Sequence, residues 1–93
     1  MAFKPMIFDY QSKALTTGLA DVKAQVYKNT LGTRVASNVA LVELDATNAP
    51  GNYTLSISGA NLSTWGFANG DTLLAVIDSA SKPAQSAVKQ LVT

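Results

Sequence analysis

Apolar and polar positions alternate along most of this chain. Between Ala20 and Lys28, Val22, Ala24 and Val26 fall on one side and Asp21, Lys23, Gln25 and Tyr27 on the other. A period of two with one apolar face predicts a half-buried strand. Tyr53, Leu55 and Ile57 alternate with Thr54, Ser56 and Ser58 and give the clearest strand. Thr72 to Asp78 predicts an apolar strand with Leu73, Ala75 and Ile77 opposed to Leu74 and Val76. Thr33 to Leu44 is β-rich but apolar on both faces, so its register is poorly fixed; a break is expected near Ser37-Asn38.

Turn residues punctuate these runs. Thr16-Thr-Gly18 and Asn29-Thr-Leu-Gly32 read as turns. In Asn48-Ala-Pro-Gly-Asn52, Pro50 pre-sets φ and Gly51 accepts φ > 0, which predicts a type II turn. Gly59 to Gly66 is a connection that carries the only tryptophan, Trp65, and Phe67 to Asp71 turns again.

The two ends admit two readings each. Phe3 to Phe8 fits a first strand, or an arm that docks on a neighbour. At the C-terminus, Ala84, Ala87, Val88 and Leu91 make a helical stripe, with Ser81 as cap and Pro83 in the first turn. As a strand, Ser86, Val88, Gln90 and Val92 share one face and Ala87, Lys89 and Leu91 the other. Strands spaced every 8–12 residues suggest a sandwich that needs a closing strand, and that context favours the strand.

Ninety-three residues make one domain. The expected fold class is all-β, a single small antiparallel β-sandwich over residues 16–93, with residues 1–15 as an N-terminal arm or first strand. With no cysteine and no histidine, disulfides and the usual zinc or copper ligand sets are excluded. Small domains without such staples often associate, which makes a homo-oligomer or multi-copy assembly an expectation. Charged residues are 14% of the chain, against about 25% in an average domain. A surface so poor in charge repels neighbours weakly and suits packing into an assembly.

The seven basic residues are dispersed among six acids, for a net charge of +1. Phosphate-tracking proteins cluster their cations, so nucleic acid is not an expected partner. No segment approaches the roughly 20 apolar residues that span a bilayer, so no membrane partner is expected either. Pro5 and Asp9 interrupt the N-terminal apolar run, which lacks the pattern of a secretion signal.

Without His and Cys the familiar nucleophilic triads cannot be assembled, and no enzyme, catalytic residue or cofactor is expected. Glu43 and Asp45, at i and i+2, share a strand face, and paired carboxylates can hydrolyse glycosides or bind calcium. No loop of further oxygen ligands accompanies them, so they read as strand-end carboxylates. The candidate contact residues are instead aromatic and apolar: Phe3, Met6, Ile7, Phe8 and Tyr10 at the N-terminus, and Trp65 and Phe67 on a loop. Rigid aromatics on a loop suit sugar or protein contact. The alternatives are an ordinary edge strand for the first group and a plug over the end of the core for Trp65.

Taken in order, Thr17-Gly-Leu-Ala-Asp-Val22, Ala24-Gln-Val-Tyr27, Gly32, Pro50-Gly-Asn-Tyr-Thr54, Gly70-Asp71 and Ile77-Asp-Ser79 resemble the small Ig-like or prealbumin-like β-sandwich modules of tailed-bacteriophage virion proteins. The resemblance covers residues 16–92. It implies an Ig-like sandwich and a structural role in the virion, as a capsid decoration, fibre or tail protein made in the host cytoplasm. The implied partner is the major capsid protein or another virion protein, bound by residues 1–15. An Ig-like ligand- or carbohydrate-binding module using Trp65 and Phe67 is the alternative.

Overall fold

The computed structural model describes residues 3–29 and 32–93. Among these residues seven strands, a one-turn 3-10 helix (Lys13–Leu15) and one short α-helix occur, with the strands and α-helix in the order β1 Met6–Gln11, β2 Val22–Lys28, β3 Arg34–Ala40, β4 Val42–Asp45, β5 Ala49–Ile57, α1 Gly59–Thr64, β6 Thr72–Ser79 and β7 Ser86–Leu91. They form two antiparallel sheets, ordered β1-β5-β4 and β3-β2-β6-β7. The expected β-sandwich is present. Immunoglobulin constant domains place their second strand beside the first and fifth. Here the second strand lies between the third and sixth, in the four-stranded sheet.

The alternation seen in the sequence sets the two inner faces. Met6, Phe8 and Tyr10 pair across with Ile57, Leu55 and Tyr53, and all six are buried. The facing sheet contributes Val22, Ala24 and Val26 from β2 and Leu73, Ala75 and Ile77 from β6, each at 0–1% exposure. Three aromatics, Phe8, Tyr10 and Tyr53, thus sit on one inner face, opposite a purely aliphatic set on the other. Each fully buried Leu or Ile contributes about 1.5–3 kcal/mol. The C-terminal segment is a strand, β7, whose half-buried positions are Ser86, Val88 and Gln90. Val92 beyond it is fully buried.

Three expectations need correction. Asn48 to Asn52 is not the turn. The chain reverses over residues 46–48, and β5 already begins at Ala49. The Asp45 carboxylate accepts the Thr47 and Asn48 N–H groups and closes the reversal there. Gly51 does take φ 82, but within the strand, where a Cβ would collide with the Leu15 backbone. The Thr33–Leu44 stretch breaks at Leu41 rather than at Ser37-Asn38. Asn38 is a positive-φ residue inside β3, at a register shift that the strand survives. The Gly59–Gly66 connection holds a helix. Ser58 Oγ accepts the Asn61 N–H at its start. At its end Gly66 N–H donates to Ser63 and Phe67 N–H to Leu62, a Schellman closure sealed by the buried Leu62 and Phe67.

Candidate functional site

Five of the sequence's candidate contact residues lie in the N-terminal segment, and β1 divides four of them between two faces. Met6, Phe8 and Tyr10 point into the core at 5%, 1% and 3% exposure. Ile7 points outward at 58%. Phe3 is half-buried against the core, and its backbone crosses so close to Gly59 that a Cβ there would strike the Phe3 carbonyl. Lys4 N–H donates to the Thr93 carbonyl at 3.0 Å. Residues 6–11 are therefore a first strand, and Phe3 and Lys4 before it are held against the body of the domain. Phe67 is buried and Trp65 half-buried, both on the core beside α1. Both therefore pack on the core cluster, Phe67 fully and Trp65 in part. A sugar cannot stack on Phe67 in this position.

Another set of exposed apolar residues comes together on the outer face of the three-stranded sheet. Val42 and Leu44, on edge strand β4, are 72% and 65% exposed. Register places Asp9, Thr54 and Val42 in one row across the sheet, with Ile7 and Ser56 in the next. Leu44, Gln11 and Asn52 help to line a shallow groove of about 370 Å³ on this side. Its polar residues are amides and hydroxyls, with Asp9 the one charge among these positions. The sequence showed Val42 and Leu44 only as one apolar side of a stretch with two such sides. Nothing local said which side faces water. That follows from the crossing at Leu41, where the chain leaves one sheet for the other with Leu41 buried and its N–H bound to Val22.

The carboxylates have structural work. Glu43 Oε1 accepts from Thr17 Oγ1 at 2.8 Å and Gly18 N at 3.0 Å, and its Oε2 from Gly51 N at 3.0 Å. These bonds, led by that from Gly51, hold its pKa below the usual carboxylate range. Asp45 caps the β4–β5 reversal with bonds to Asn48 and Thr47, which lower its pKa. The two acids are thus not a pair aimed at one substrate. Asp21 accepts from Ser79 Oγ at 2.7 Å and from Ser81 N and Oγ at 2.7 and 3.0 Å, tying the start of β2 to the β6–β7 loop. Those bonds lower its pKa too. Asp71 accepts from Ala68 N and Asn29 Nδ2 and is lowered by them, with Lys28 adding a weaker pull at 3.8 Å.

Two tyrosines extend the same scheme. Tyr53 Oη donates to the Thr16 carbonyl and accepts from Leu19 N–H, both at 2.9 Å. Tyr10 Oη donates to the Ala84 carbonyl at 2.6 Å. Burial, helped by the charges of Asp78 and Asp21, pushes the Tyr10 phenol up. The segment 17–21 is accordingly a loop latched at Thr17, Gly18, Leu19 and Asp21, and leads into β2 at Val22. Among the described residues no three His, Cys, Asp or Glu side chains gather as a metal site would require, and no helix is long and apolar enough to cross a membrane.

No protein-family model, curated protein or solved structure matches this chain.

Proposed function

We propose that this chain is a bacteriophage virion structural protein, a capsid decoration or auxiliary protein that binds the shell through protein–protein contacts and works in many copies. The observation that carries this reading is the outer face of the three-stranded sheet. Val42, Leu44 and Ile7 stand 58–72% exposed there, around amides and hydroxyls. Large apolar side chains left in water beside an open strand edge are characteristic of surfaces covered in an assembly. The low charge of the chain supports the same reading, because it makes close packing of copies inexpensive. The resemblance of the Thr17–Val22, Pro50–Thr54 and Ile77–Ser79 sequences to phage sandwich modules supports the virion as the setting. The shell contact then lies on the body of the sandwich and includes Ile7, in place of a free arm.

The test is quantitative mass spectrometry of density-purified particles, counting this chain against the major capsid subunit. A one-to-one ratio, or a simple fraction of it, is expected. A handful of copies per particle would move the assignment to neck, tail or fibre, and absence from particles would end it.

A further inference from the structure

Asn69-Gly70 is the only Asn-Gly dipeptide in the chain, and both residues are exposed. They sit at the centre of a turn in which Asp71 N–H donates to the Ala68 carbonyl at 3.0 Å. Gly70 takes φ 93, as the third position of a type II turn requires. An asparagine followed by glycine is chemically vulnerable, because no Cβ hinders the approach of the glycine nitrogen to the carboxamide carbon.

We propose that Asn69 is a site of spontaneous deamidation, and that the C-terminal strand holds the reaction shut in the folded chain. Gly70 N gives its proton to solvent base and bonds to Asn69 Cγ. The bond from Cγ to the side-chain nitrogen breaks, and ammonia leaves after taking up a proton. Water then adds to either carbonyl of the resulting succinimide, leaving aspartate or isoaspartate, with no change of oxidation state.

The hydrogen bonds supply the gate. Gly70 N–H donates to the Val92 carbonyl at 2.8 Å, and Val92 N–H donates to the Asp71 carbonyl at 2.8 Å. Val92 is itself fully buried. The attacking nitrogen is thus clasped to a core residue, and ring closure must wait for the clasp to open, so the rate follows the population of the opened state. The product works against reclosing. Isoaspartate lengthens the turn backbone by one carbon, and either product sets a second carboxylate beside Asp71. Reaction at Asn69 is therefore a one-way loosening of the anchor of the C-terminal strand.

Peptide-level mass spectrometry of the intact protein, incubated at neutral pH with and without unfolding urea, tests both parts. Asn69 is expected to convert faster than every other asparagine in urea, and at least about tenfold more slowly in the folded protein. Another asparagine converting first in urea would remove the site, and equal rates in both conditions would remove the gate. Val92→Ala, confirmed as folded by circular dichroism, is expected to convert at an intermediate rate. A folded V92A protein reacting at the wild-type rate would overturn the assignment of the gate to Val92.

Discussion

Strands β3 and β4 are neighbours in the chain, separated by Leu41 alone, and each is an edge of its sheet. They treat their exposed edges differently. β3 pairs with β2 through two register shifts, carries Arg34, and turns Asn38 into positive φ. Gln25 fills the irregularity: its Oε1 accepts from Asn38 N and Arg34 Nη1, and its Nε2 donates to Asn38 Oδ1. Bulges and a cation are what an edge needs to refuse another strand. β4 has neither cation nor proline, and places Val42 and Leu44 in water. Both edges are irregular, since β4 has a register shift of its own between Glu43 and Asp45, but only β4 leaves two large apolar side chains in water beside it, and on the proposed reading this is the side that would meet a partner.

The largest expected effect comes from the residue between the two strands. Leu41 is buried where the chain changes sheets. Leu41→Ala should cost about 2–4 kcal/mol, from lost transfer energy and the cavity left behind. Urea unfolding reads this directly, and a loss below about 1 kcal/mol would mean that the crossing is not fixed by packing. Next is the contrast itself. Val42→Lys with Leu44→Glu should weaken particle binding at least about tenfold if the pair lies at the centre of a contact. As exposed sites they should change stability by no more than about 0.5 kcal/mol each. Arg34→Ala, on the β3 edge, should leave particle binding as it was. Equal loss from both edges would erase the distinction.

The sandwich was legible wherever one face alone was apolar. Val22, Ala24 and Val26, and Tyr53, Leu55 and Ile57, announce both period and buried side. The C-terminal strand could be chosen only from context, because Ala84, Ala87, Val88 and Leu91 satisfy a helical period equally well. The apolar edge was illegible for a related reason: Thr33–Leu44 is apolar on both sides, and the crossing that decides between them depends on contacts distant in sequence. The helix at Gly59–Thr64 did leave a signal, a capping Ser58 and a terminating Gly66, but six residues are too few for a periodic stripe. The N-terminal aromatic and apolar residues drew attention as a cluster. Their alternation, which sends Met6, Phe8 and Tyr10 inward and leaves Ile7 outside, was the more telling feature.

Acid should act on the loops that hold both edges in place. Asp21, Glu43, Asp45 and Asp71 all have folded-state pKa values below their ordinary ones, through hydrogen bonds to the charged form. A lowered folded pKa contributes stability that is present above the unfolded value, near pH 4 for a carboxylate, and lost as pH falls through the folded value. Thermal unfolding should therefore show a flat Tm from pH 7 to about 5 and a decline below. Glu43→Gln should shallow that decline, because the Glu43 carboxylate ties Gly18 to Gly51 behind β4. An unchanged acid slope in E43Q would show that the clasp does not operate in solution.

The smallest effect is expected at the β3 edge. Gln25→Ala removes the three hydrogen bonds that fill the β3 irregularity, but all of them are exposed. Water replaces exposed partners readily, so the global cost should be about 0.5–1 kcal/mol. The local signature is more informative. Amide exchange should quicken in β3 around Asn38 while β4 and β5 keep wild-type protection, because the β2–β3 and β4–β5 pairings belong to different sheets. If β4 loosened as well, the two edges would be one cooperative unit joined through Leu41. The asymmetry between them would then have to be maintained by the whole sandwich and not by the residues of each strand.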